Sequence, residues 1–135
     1  MAKMSDYLEV ELRKHIFRTG SFTKPSALYV SLHTADPTDV GSGAEANYGA
    51  YARVQRDPSD ANWTANSATD GNTDNAAVIT FPSAISGSNV ITHFGLWDAS
   101  SGGNMLAYGT LTNPQTVSTG ITPSFAIGAL DFTFQ

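Results

Sequence analysis

Apolar and polar residues change period along this chain, and the changes divide it into one helical segment followed by short strands. In "DYLEVELRKHIFR" (6–18), Leu8, Leu12 and Ile16 recur at the spacing of one helix face. Asp6 with Glu9 three places on suits a capping box. Arg13, Lys14 and Arg18 sit where the helix dipole favours cations, and Gly20 can close the element. The pattern predicts a helix over about 6–18 that covers one face or end of a core. After Lys24-Pro25 the period shortens to two: in "ALYVSLHT" (27–34), Leu28, Val30 and Leu32 alternate with Tyr29, Ser31 and His33, as a strand with one buried face requires. A short strand is predicted at "AYARVQR" (50–56). Residues 57–75 are nearly all turn-formers around Trp63 and read as a long polar loop.

Four further strands follow, at 77–83, 89–98, 105–111 and 124–134, separated by Gly-, Ser- and Asn-rich turns. The fold class this predicts is mainly β: an antiparallel β-sandwich, jelly-roll- or Ig-like, with one N-terminal α-helix, forming a single domain over 1–135. The last strand carries a conflict. Phe125 and Ile127 share one parity while Leu130, Phe132 and Phe134 share the other, so a break near Gly128, between Ile127 and Leu130, is expected. Asp98–Asn104, "DASSGGN", reads as a hairpin loop whose glycines permit positive φ. In the strand before it, Phe94 and Leu96 face one side, pairing with Leu106, Tyr108 or their neighbours. Trp97 lies on the other, which is apolar enough to need a cover from the N-terminal helix or another subunit.

Composition narrows the function. Charged residues are 14% of the chain, below the ordinary quarter. All seven Lys and Arg lie in residues 1–56 with six of the twelve acids, and from Asp57 onward there are acids and no cations. A duplex-binding surface needs several cations against phosphates, so nucleic acid is not an expected partner. The N-terminal residues lack the apolar core of a signal peptide and no apolar run approaches a bilayer span, so no membrane partner is expected and the product reads as soluble and intracellular. The absence of cysteine removes disulfides, thiol nucleophiles and Cys-ligated zinc.

Candidate chemistry thins out on inspection. His15, His33 and His93 form no local ligand pair, and the serines offer no nucleophile elbow. Asp70, Asn72 and Asp74 imitate the start of a calcium loop, but Asn75 stands where glycine is needed and Phe81 where a bidentate glutamate is needed. Asn62-Trp63-Thr64 is formally a glycosylation sequon. Trp63, Tyr48 and Tyr51 are the hardware a sugar site would use, and Trp63 could equally pin its loop. No catalytic residue, metal ligand or cofactor site is assigned, and an enzyme is not expected.

Most of the chain carries a resemblance. "THFGLWDASSGGNMLAYGTL" with the final "SFAIGALDFTF", and upstream "ALYVSLHTADPTD", "YARV" (51–54) and "NAAVITFP" (75–82), are similar to the corresponding elements of a family of small tailed-phage virion proteins, known as head decoration (cement) or so-called tail-fibre proteins. The resemblance implies a structural virion component made in the host cytoplasm, and it brings no catalytic residue. The leading expectation is a capsid decoration protein on the capsid surface, trimeric and bound to the major capsid protein. The alternatives are a tail-fibre or tail-tip subunit that contacts a host receptor, and a carbohydrate-binding module. The residues expected to meet a partner are Arg13, Lys14, Arg18, Trp63 and Trp97.

Overall fold

The computed structural model describes residues 2–64 and 71–133. In chain order the elements are β1 (Ala2–Met4), α1 (Asp6–Phe17), β2 (Tyr29–His33), β3 (Val54–Gln55), β4 (Asn72–Asp74), β5 (Ile79–Thr80), β6 (Ser88–Trp97), β7 (Met105–Ser118), β8 (Ser124–Phe125) and β9 (Asp131–Thr133). The fold is mainly β and sandwich-like: a seven-stranded sheet ordered β3-β2-β6-β7-β1-β9-β4 and a two-stranded sheet β5-β8, with one helix among the described residues. Every named pairing is antiparallel except β1 with β9, which run parallel and meet at Ala2 and Phe132.

β1 has no counterpart in the sequence reading, because three residues cannot display a period. It pairs with β7 and delivers the chain to the start of α1. The helix is capped by Ser5, one position before the expected Asp6. The buried Ser5 hydroxyl accepts from Leu8 N at 3.3 Å and donates to the Met105 carbonyl, while Ser5 N–H bonds Leu106 O at 2.9 Å. Tertiary bonds to β7 thus choose the cap. Gly20 does not close the helix. Arg18, in extended conformation, ends it by donating its N–H to Lys14 O.

Two irregularities let residues of both parities reach one core. Between Ile91 and His93 the partner on β7 jumps from Gln115 to Thr110, so one residue of β6 spans four of β7, including Pro114, which has no N–H to give a ladder. Ile91 and Phe94, of opposite parity, are consequently both buried. β7 runs to Ser118, well past its predicted end at 111, because the second half resumes pairing beyond this bulge. The expected break in the last strand is present as a turn that changes sheets: β8 pairs with β5, Gly128 has φ +74°, and β9 pairs with β4 and β1. Asn75 holds this turn. Its amide donates to Ala77 O and Ala126 O at 2.9 and 2.8 Å and accepts from Leu130 N at 2.8 Å, replacing the missing ladder bonds. Phe134 lies outside the described residues.

The core between the sheets is aromatic. Phe94 packs edge-on against Phe132 and Phe125, with centroids 5.6 and 6.1 Å apart, and Phe81 and Trp63 extend the cluster. The predicted polar loop 57–75 is a loop only in part, since Asn72–Asp74 form the edge strand β4. Residues 65–70, including Asp70 of the calcium-like run, lie outside the described residues.

Candidate docking surface

The outer face of β2 and β6 carries a second, smaller core, and it holds the most chemistry-like residues of the chain. Trp97 Nε1–H donates to Ser31 Oγ at 2.8 Å, and Ser31 Oγ lies 2.7 Å from His33 Nε2. His33 Nδ1 lies 3.2 Å from Gly43 O, a pure acceptor, so Nδ1 carries the proton and the Ser31 hydroxyl donates to Nε2. The relay satisfies every member with a neutral imidazole. Although the Ser–His contact has the geometry of a nucleophile–base pair, Ser31 and His33 are 0% and 1% exposed, so no substrate reaches them.

Arg53 roofs this cluster. Its guanidinium stacks 3.9 Å above the Trp97 ring and donates through Nε and Nη2 to both Glu45 oxygens at 2.8 and 2.9 Å. Through Nη1 it donates to Ala99 O and Gly102 O. The tip of the 98–104 hairpin is thereby tied to the body, and Asp98 closes its base by accepting from Asn104 N at 2.7 Å. Gly41, at φ +69°, brings the 36–42 loop onto Trp97, where a Cβ would meet Cη2 at 2.9 Å. Tyr108 OH fastens the same loop by donating to Asp39. The cover that Trp97 requires is therefore Arg53 and the 36–45 segment of its own chain. Trp97, expected at a partner surface, is buried instead.

Burial holds the His33 pKa below 6.5, against the opposing pull of the Gly43 carbonyl and Glu45, with Arg53 and His93 adding to the depression. For Glu45, burial alone would raise the pKa, but hydrogen bonds from Arg53 and Tyr51 and the Arg53 charge outweigh it and leave the carboxyl below its ordinary value. A depressed histidine favours the neutral form in the folded state, so its contribution is complete above pH 6.5 and is lost as pH falls below that value. The urea unfolding midpoint is expected to be flat from pH 6.5 up to the approach of tyrosine ionisation at 10.0, where the raised tyrosines begin to weaken folding, and to fall below pH 6.5, with the Glu45 contribution disappearing at still lower pH. His33→Gln should remove the upper step. A midpoint in the native protein unchanged across that window would contradict the relay.

The exposed features lie elsewhere. Leu8 is buried, Leu12 is half-buried, and Ile16 and Phe17 are 66% and 80% exposed, so the apolar stripe of α1 starts on the core and runs off its edge. This corrects the expectation that Ile16 packs on the body. Beside these two residues, Val10, Arg13, Lys14, Phe17 and Arg18 line a shallow groove of about 480 Å³. The three cations expected at a partner surface are thus brought together and exposed, with Lys14 also 2.8 Å from Glu11. Trp63 is not among them. It is half-buried, edge-on to Phe132, and donates Nε1–H to Arg56 O at 3.2 Å, which makes it the anchor of its own loop. Tyr48 and Tyr51 also face inward, donating to Pro82 O and Glu45, so the aromatic trio considered for sugars does not form an exposed platform. Among the described residues no group of three or more His, Asp or Glu side chains is placed to hold a metal ion.

Sequence reasoning missed Phe17, which falls off the Leu8–Leu12–Ile16 stripe and was the available signal of an apolar side chain with no core to enter. It also missed Arg53 and Glu45, whose pairing spans a loop.

A family model described as "Podophage GP4 fiber I protein gp80" matches residues 3–133. No curated protein matches the chain significantly.

Proposed function

Because the chain belongs to the podophage GP4 fiber I protein gp80 family, a structural role in the phage particle follows, and we propose that it is a fibre subunit joined to its neighbours through the exposed end of α1. The family match over 3–133 carries this reading, since it covers both the β-body and the helix. The surface supports adhesion over reaction. The Ser31–His33 pair is sealed, whereas Ile16 and Phe17 stand in water beside Arg13, Lys14 and Arg18, a combination of apolar anchor and charged rim that suits a protein interface. In this reading the protein performs no reaction and needs no cofactor, and its partners are virion subunits, including copies of itself.

Capsid decoration uses the same scaffold, with the α1 surface meeting the major capsid protein. The two roles differ in stoichiometry and position. Quantitative mass spectrometry of purified particles, combined with gold labelling, should find far fewer copies than of the major capsid protein, located on fibres. A copy number close to that of the major capsid protein, with label spread over the head, would replace the fibre assignment by decoration. Absence from washed particles would defeat both.

A further inference from the structure

We infer that the protein carries a binding site for a neutral pyranose unit of a polysaccharide, in the groove where the 24–28 segment meets the Ser59–Trp63 turn. The site shares no residue with the α1 groove and goes beyond the fibre reading, whose partners are virion subunits.

Two segments build its walls, and backbone bonds hold them together. Asn62 N–H and Trp63 N–H both donate to Ser59 O, at 3.1 and 3.0 Å, and this tight turn leaves Asp60 exposed. The half-buried indole of Trp63 is fixed by its bond to Arg56 O at 3.2 Å and by its edge contact with Phe132. Arg56 N–H in turn donates to Leu28 O at 2.7 Å, which draws the 24–28 segment alongside the turn. The groove has a volume of about 340 Å³, within the size range of small-ligand sites, and Trp63, Leu28 and Pro58 give it apolar surface.

The polar side chains of this groove are what point to a ligand. Lys24 and Asp60 both line it and are exposed, yet among the described residues neither forms an ion pair or a side-chain hydrogen bond, with each other or with any other group. The Ser59 hydroxyl beside them is likewise unused. An anion would be repelled by Asp60 and a cation by Lys24, so neither single charge suits the groove. A neutral polyol uses both: its hydroxyls accept from the Lys24 ammonium, donate to the Asp60 carboxylate and exchange a bond with Ser59. A pyranose adds what an open-chain polyol lacks, a rigid ring whose C–H groups can lie against the apolar surface of Trp63, Leu28 and Pro58. Because the indole is already pinned, little ordering cost is added on binding. Tyr48 and Tyr51 take no part.

The test is saturation-transfer NMR of the full-length protein with the methyl pyranosides of glucose, galactose, mannose, rhamnose and N-acetylglucosamine at millimolar concentration. Transfer to at least one of them is expected, strongest on the C–H groups of one ring face and little changed by salt, since the ligand is neutral. Asp60→Ala and Lys24→Ala should each weaken binding about tenfold, the loss of one charge-assisted hydrogen bond. Neither should lower the melting temperature, because both side chains are exposed and bond nothing in the fold. These two variants carry the test, as Trp63→Ala would also loosen the loop that Trp63 anchors. Silence from all five pyranosides overturns the inference, and so does transfer that both variants leave unchanged. Inorganic phosphate or phosphocholine is added as competitor. Binding of either in place of the pyranosides, lost in Lys24→Ala, would make the groove an ion site and overturn the inference as well. A protein found on fibres that binds no pyranoside would defeat this inference alone. A pyranoside-binding protein absent from particles would defeat the fibre assignment alone.

Discussion

Phe94→Ala is expected to cost about 3–5 kcal/mol of folding stability, read as a lowered urea midpoint with little change in slope. Phe94 comes from β6 in the centre of the large sheet and meets both Phe125 of the small sheet and Phe132 near the opposite edge. It therefore joins the two sheets. Gly109 reports the tightness of the site: a Cβ there would come within 2.7 Å of Phe94 Cζ and 3.1 Å of the Ala2 backbone. A loss under about 1 kcal/mol would mean that the aromatic cluster collapses onto the void, against the packing described.

Arg53→Ala is expected to cost about 3 kcal/mol, because removing one partner of a largely buried ion pair leaves the other charge uncompensated. The Arg53 side chain is only 5% exposed, and its loss strips Glu45 of two hydrogen bonds, Trp97 of its cation roof and the hairpin of two anchors. The Glu45 pKa should rise toward or above its ordinary value in the variant, since burial, which raises it, would act without the opposing guanidinium. Amide exchange at Ala99–Gly102 should accelerate as the hairpin tip loosens. Equal protection in both proteins would show that the tip is held by Asp98 and Asn104 alone. Arg53→Lys keeps the charge but loses the fork, and should recover only part of the stability.

Much of the architecture was legible in the sequence, because it rests on short-range periods. The helix over Asp6–Phe17, the Tyr29–His33 strand and the 98–104 hairpin each follow from spacing within one element, and the change of face near Gly128 follows from a parity conflict between Phe125 and Phe132. Where elements met, the sequence was silent. The jump between Ile91 and His93 depends on four residues of the partner strand, so strict alternation along β6, which would set Ile91 on the same side as Trp97, breaks down there. β1 is invisible without β7 beside it, and Ser5 caps the helix because its hydroxyl is held by the Met105 carbonyl, a hundred residues away.

The candidate site divides in the same way. That Arg13, Lys14 and Arg18 share a helix end is a matter of helical spacing, which residue order determines on its own. Exposure is not a local property: Leu8, Leu12 and Ile16 are equivalent on a helical wheel, yet the body of the protein ends beneath Leu12, and Ile16 alone is left in water. The two tryptophans make the same point in reverse. In its own segment Trp63 reads equally as an exposed aromatic or as a loop anchor, and Trp97 as a residue whose cover is unidentified; Arg53 closes over Trp97 and Phe132 receives the edge of Trp63, contacts that exist only once distant strands have assembled. Residue order determined which segments have an apolar side, and tertiary packing decided which of those sides found a cover, because burial depends on what the chain brings back from far away.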